Sequence, residues 1–135
     1  MKKILIMCLI ALGMMFISCT KQRDSYYVKY EVYANASNGN EPNAYIEMLT
    51  EDTILSKSIE TNFEEIYGPY RYHDLTLLKI RCRNNGPYGW NTTKVNGKIH
   101  VSKNEEPFVL KSEINKILGG NTGIDSCEIS YIIDF

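Results

Sequence analysis

Apolar and polar residues alternate along most of this chain. From Ser25 onward, Tyr26, Val28, Tyr30 and Val32 fall on one side of an extended segment, and Tyr27, Lys29, Glu31 and Tyr33 fall on the other. A period of two in β-branched and aromatic residues predicts a half-buried strand. Residues 35–43 carry Ser, Gly, Pro and four asparagines and predict a loop. Residues 44–50 predict a second strand, with Ala44, Ile46 and Met48 on one face. Glu51-Asp52 then turns the chain into a third strand over 53–59. Between Thr61 and His73, five aromatic or aliphatic side chains are interrupted by Gly68-Pro69. Proline cannot donate to a ladder, so this segment reads as an irregular crossover or a short edge strand.

The alternation resumes over 75–83, with Thr76, Leu78, Ile80 and Cys82 opposed to Leu75, Leu77, Lys79 and Arg81; residues 84–91 follow as a loop. Asn96-Gly97, flanked by residues 92–95 and 98–101, predicts a two-residue hairpin, because such a turn needs positive φ at both central positions. Ser112 is placed to cap a short helix over 113–118, where Ile114, Ile117 and Leu118 form a stripe and Gly119 a stop. Residues 126–135 return to alternation, with Cys127, Ile129, Tyr131, Ile133 and Phe135 sharing a face. The fold expected is all-β: an antiparallel β-sandwich of about seven strands with one short helix.

The first nineteen residues follow a different pattern. Met1-Lys2-Lys3 precedes fifteen uncharged residues and then Cys19. A membrane span needs about 20 apolar residues; a shorter run behind two lysines suits a cleavable export signal. Phe16-Ile17-Ser18-Cys19 resembles the lipobox of bacterial lipoproteins, with Phe16 in place of the usual Leu. The resemblance implies cleavage before Cys19, lipid attachment to that cysteine and membrane association through the lipid. The domain plan is then a signal peptide over 1–18, a lipid-anchored tether over 19–24 and one sandwich domain over 25–135. The polar residues 20–24 extend at most roughly 17 Å, which holds the domain close to the membrane.

Processing alters the charge. Loss of Lys2 and Lys3 leaves 13 basic against 16 acidic side chains in the mature chain. With no basic block, neither nucleic acid nor electrostatic membrane docking is expected. Of the four cysteines, Cys8 is lost with the signal and Cys19 takes the lipid, which leaves Cys82 and Cys127 in a compartment where disulfides persist. Both fall on apolar strand faces, so they are a candidate disulfide, with two separate buried thiols as the alternative. Neither has a Cys or His partner at metal-ligand spacing, and no metal or other cofactor is expected.

Candidate chemistry is sparse. His73-Asp74 with Ser56, Ser58 or Ser112 contains the residue types of a hydrolytic triad, but no Gly-x-Ser-x-Gly elbow surrounds any serine. His100 falls on an outer strand face, where solvation is expected. The adjacent carboxylates Glu64-Glu65 and Glu105-Glu106 would point to opposite faces of a strand, and a solvated loop suits them better. Tyr67, Tyr70, Tyr72, Tyr88 and Trp90 lie within 24 residues, among Gly, Pro and Asn. Tyr70, Tyr88 and Trp90 are the candidate ligand-binding residues, able to stack a sugar or grip a protein surface; alternatively these rings cover one end of the sandwich.

The opening Lys29-Tyr30-Glu31-Val32, the alternating middle and the ending Ser130-Tyr131-Ile132-Ile133-Asp134-Phe135 resemble small lipoproteins of Bacteroidetes. Those are similar in outline to the mycobacterial MmpS-type β-sandwich domains that accompany membrane transporters. The resemblance implies an immunoglobulin-like or MmpS-like sandwich, and it carries no catalytic residues. Immunoglobulin domains themselves differ in detail: Trp90 falls in a loop here, and Asp125 takes the place of the usual Tyr two residues before the second cysteine. Surface lipoproteins of Bacteroidetes often carry an acidic run after the lipid cysteine, which residues 20–24 lack. That implies an outer-membrane position facing the periplasm. The function expected is a non-enzymatic, lipid-anchored envelope protein that binds a protein partner or serves an envelope complex. A glycan-binding module is the alternative, and an envelope hydrolase trails both.

Overall fold

The computed structural model describes residues 23–37, 39, 42–84, 92–119 and 123–135. The expected signal segment, Cys19, Tyr88 and Trp90 lie outside the described residues. Eight strands run in chain order: β1 (Tyr26–Ala36), β2 (Ala44–Thr50), β3 (Thr53–Ile59), β4 (Asn62–Tyr70), β5 (Leu75–Asn84), β6 (Thr92–Lys103), β7 (Val109–Gly119) and β8 (Gly123–Ile132). They form two four-stranded sheets, β4-β1-β6-β7 and β3-β2-β5-β8, with every neighbouring pair antiparallel. The architecture is an all-β sandwich. Its core holds the expected inner faces, Val28, Tyr30 and Val32 of β1, Ala44, Ile46 and Met48 of β2, and Leu78, Ile80 and Cys82 of β5, and adds Val95, Ile99 and Val101 of β6.

Two expectations fail in the β6–β7 pair. Asn96-Gly97 makes no hairpin; β6 runs through it without a break, and Gly97 is not among the glycines with positive φ. Gly97 points inward at a place where the sheets come close. A Cβ there would stand 2.8 Å from Ile80 Cδ1, 3.2 Å from Leu78 Cδ2 and 3.3 Å from Ile114 Cγ2. Glycine serves here as the absence of a side chain rather than as a turn former. Asn96 points outward, and its amide donates to Glu113 (2.7 Å) and Asn115 (2.6 Å) on the neighbouring strand.

The expected helix over 113–118 is the middle of β7, and no helix occurs among the described residues. Ile114 and Leu118 are four apart, a spacing that fits a helical stripe and one face of a strand equally well. Ile117 decides the case: the helical stripe would bury it, yet it is 68% exposed on the opposite face. The ladder to β6, in which Ile114 meets Gly97 and Leu118 meets Thr93, settles the segment as strand.

The sandwich has two distinct ends. At the near end the chain arrives at Arg23–Ser25, and the turn at Glu51-Asp52, the segment after β4, the start of β7 and the C-terminus gather there. At the far end stand the strand ends that flank residues 85–91, since Asn84 pairs with Gly123 and Thr92 with Gly119. The 11 residues of β1 separate the two ends by roughly 35 Å.

Candidate functional site

Aromatic residues from opposite ends of the sequence meet at the near end. Tyr26 opens β1, and its ring centroid lies 6.5 Å from that of Tyr72 and 6.0 Å from that of Phe135. These rings, with Pro69, Tyr70, Arg23, Arg71 and Glu51, line an open cleft of about 820 Å³. The floor is rigid. Tyr26 and Tyr70 are each 2% exposed, and the Tyr70 and Tyr30 hydroxyls both donate to the Leu49 carbonyl, at 3.1 and 2.8 Å. Burial raises both phenols above their ordinary range.

Local backbone geometry shapes the walls. The Gly68-Pro69 peptide bond is cis, and β4 shifts register against β1 between Tyr26 and Val28. Gly68 has φ of 146°, and a Cβ on it would meet the Tyr26 carbonyl oxygen at 2.8 Å, so a larger residue has no room there. After Tyr70 the chain makes a tight turn. The Arg71 N–H donates to Asp74 Oδ2 (2.7 Å), the Asp74 N–H donates to the Arg71 carbonyl (3.1 Å), and His73 takes a left-handed φ of 71°. The His73 N–H and Asp74 carbonyl are tied to Ile133, which docks the turn on the C-terminal segment. The arriving chain is pinned as well: Ser25 exchanges hydrogen bonds with Asn104, and Asp24 pairs with Lys103 at 2.9 Å. A lysine also caps the aromatic wall, with Lys111 Nζ 3.8 Å from the Phe135 ring centroid.

The residues singled out from sequence scatter over this frame. Tyr70 reaches the cleft, but as a buried floor ring whose hydroxyl is already used; Tyr72, half-exposed, is the most exposed ring of the cleft. Tyr88 and Trp90 lie outside the described residues; the strand ends that flank them, Asn84 and Thr92, stand at the far end. His73 and Asp74 sit in the turn described above, where Asp74 acts as a backbone acceptor and the His73 ring stacks on Tyr72 with centroids 3.9 Å apart. Among the described residues no hydrogen bond joins either of them to a serine. Ser56 and Ser58 are on β3 and Ser112 is on β7.

Cys82 and Cys127 face the core from neighbouring strands, and both are free thiols in this structure. Cys82 pairs in register with Asp125 and Cys127 with Ile80, which sets the two cysteines on a diagonal. Diagonal neighbours are separated by roughly 7 Å, against about 4 Å between the Cβ atoms of a disulfide. Burial raises the Cys82 thiol to about 11 and pushes Cys127 upward too.

Glu64 and Glu65 lie on β4 rather than in a loop. They point to opposite faces, and Glu65 points inward to Lys57 of β3 at 2.5 Å. The pair spans the open edge of the sandwich between the two sheets, with Tyr67 donating to the same carboxylate. Lys57 first, then Tyr67, holds the Glu65 carboxyl below its ordinary range. Inward charges on edge strands oppose pairing with another chain. On the outer face of the β1 sheet, Glu31 joins Lys29, and His100 Nε2 stands 3.2 Å from the Glu31 carboxylate with its ring largely covered rather than solvated.

Sequence reasoning missed Arg23, Tyr26, Arg71 and Phe135 as cleft residues. Tyr26 and Phe135 are separated by nearly the whole domain, and no local pattern signals their meeting. Lys57 and Glu65 did leave a signal, because each interrupts the apolar parity of its strand. Compared with known proteins, the chain matches no family model, no curated protein and no solved structure.

Proposed function

We propose that this chain is a non-enzymatic lipoprotein of the cell envelope, anchored through Cys19, whose sandwich holds a protein partner in its near-end cleft. The observation that carries the reading is the makeup of that cleft. A rigid aromatic floor, a half-exposed Tyr72 and the exposed guanidinium groups of Arg23 and Arg71 surround it. Tyr and Arg set in a preorganised hollow are the side chains that dominate protein–protein binding energy. The cleft lies where the chain arrives from the tether, which suits a partner held near the membrane. An immunoglobulin-like or MmpS-like sandwich type, an origin among Bacteroidetes-type lipoproteins and an outer-membrane position facing the periplasm belong to the same proposal.

The test is crosslinking of the acylated protein in native membranes, with Tyr72→Ala and Arg71→Ala beside the unaltered chain. One specific adduct, lost in both variants while thermal unfolding is unchanged, is the expected result. An adduct pattern indifferent to both substitutions refutes the reading.

A further inference from the structure

The outer face of the β3-β2-β5-β8 sheet changes character along its length. Toward the near end, Ile54 of β3 pairs with Leu49 of β2, which pairs with Leu77 of β5. Leu75 of β5 pairs with Ile132 of β8 just below. These five side chains share the outward parity of their strands and form one apolar band across all four. Ile54 is 64% exposed, Leu75 44% and Ile132 54%. Farther up the same face the band gives way to charge: Glu47 pairs with Arg81 (2.9 Å) and Lys79 with Glu128 (3.7 Å). On the outer face of the other sheet the exposed Ile66 and Leu110 are kept apart by Lys29 and His100, which stand between them in register within a cluster with Glu31 and Glu64.

We infer that this band docks on the lipid surface to which the chain is tethered, so that the sandwich leans on the membrane by one face. The inference rests on the acylation of Cys19 proposed above. Four peptide links separate Cys19 from Arg23, a reach of roughly 14 Å when fully extended. The band sits at the end where Arg23 arrives, so the tether brings this surface, rather than the charged upper half, within reach of lipid. Contiguous exposed apolar surface rimmed by polar groups marks such contact sites. The nearby charges are of mixed sign, with Glu51 and Asp52 in the adjoining turn and Arg71 beyond it, so contact is apolar and insensitive to salt.

Oxidative footprinting of the acylated protein in phosphatidylethanolamine–phosphatidylglycerol vesicles tests this. Ile54, Ile117 and Ile124 are 64%, 68% and 60% exposed, so a chain free of contacts labels them alike. Docking predicts that Ile54, Leu75 and Ile132 label about fivefold less than Ile117 and Ile124, at any protein-to-lipid ratio and in high salt. In an Ile54→Ser, Ile132→Ser variant, which alters only exposed positions, Leu75 should regain its labelling. Equal labelling with an acylated Cys19 peptide in the mass spectrum overturns the docking and leaves the anchor standing. Protection that grows with protein density assigns the face to a second copy and overturns it too, as does a Leu75 still protected in the double variant. An unacylated Cys19 removes anchor and docking together.

Discussion

Gly97→Ala tests the claim that this glycine is required by close approach of the sheets rather than by a turn. The added methyl would stand 2.8 Å from Ile80 Cδ1, closer than packed carbons come, and Ile80 is fully buried. Forcing one extra carbon into a packed core costs about 1–3 kcal/mol. The loss of glycine's backbone freedom offsets about 0.4–1 kcal/mol of that. The net expectation is a loss of about 1 kcal/mol, and Gly97→Val should lose about 3 kcal/mol by the same overpacking. Ile80→Val deletes the clashing methyl and by itself costs about 1 kcal/mol. If the contact is the cause, Gly97→Ala with Ile80→Val costs about 1 rather than about 2 kcal/mol, a coupling of about 1 kcal/mol. Urea unfolding reads these values as midpoint shifts at constant slope. A hairpin turn at Asn96-Gly97 would also penalise alanine, but with no coupling to Ile80. Additivity within about 0.5 kcal/mol therefore refutes the reasoning.

Three other outcomes are expected. Tyr30→Phe and Tyr70→Phe each remove one of two hydroxyls on the Leu49 carbonyl and should cost about 1 kcal/mol apiece; the double variant should cost more than their sum, because that carbonyl then loses both donors. Strict additivity in urea melts would show that the hydroxyls act independently. The native protein should react slowly with thiol reagent at Cys82, whose thiol is raised to about 11, and unfolding without reductant should release two thiols; none would establish the Cys82–Cys127 disulfide instead. Glu31, Glu65 and Glu113 are held below the ordinary carboxylate value of 4.5, chiefly by Lys29, Lys57 and Asn96 respectively. Their contribution is complete above 4.5 and fades as pH falls through their lowered folded values, so thermal midpoints should drop below pH 4.5; Glu65→Gln should flatten part of that slope, and an unchanged slope would count against the Lys57 pairing.

Strand by strand, the alternation was legible wherever one face is buried and the other wet. β1, β2 and β5 show period two in Tyr, Val, Ile and Leu because each has a dry side and a solvated side. Where signals were local and short they misled. Asn-Gly is permissive of a turn, but permission is overridden when continuing the strand forms the full β1–β6–β7 ladder. Ile114 and Leu118 satisfy two periodicities at once, and only the neighbour strand breaks the tie. The cleft was legible in part: Tyr70 is a candidate from sequence and Tyr72 belongs to the aromatic cluster around it, whereas Tyr26 and Phe135 join them through contacts no window of sequence contains.

The sequence by itself determined the all-β class, the inner faces of most strands and the lipobox resemblance that nominates Cys19. These follow from side-chain type and spacing along the chain, which act locally. The tertiary structure alone decided which strands share a sheet, that Gly97 serves packing, that Lys57 meets Glu65 across an open edge, and that the aromatic cleft and the apolar band lie at the end where Arg23 enters the domain. Those depend on register between distant strands, and register is set by the summed burial of both sheets rather than by any one segment.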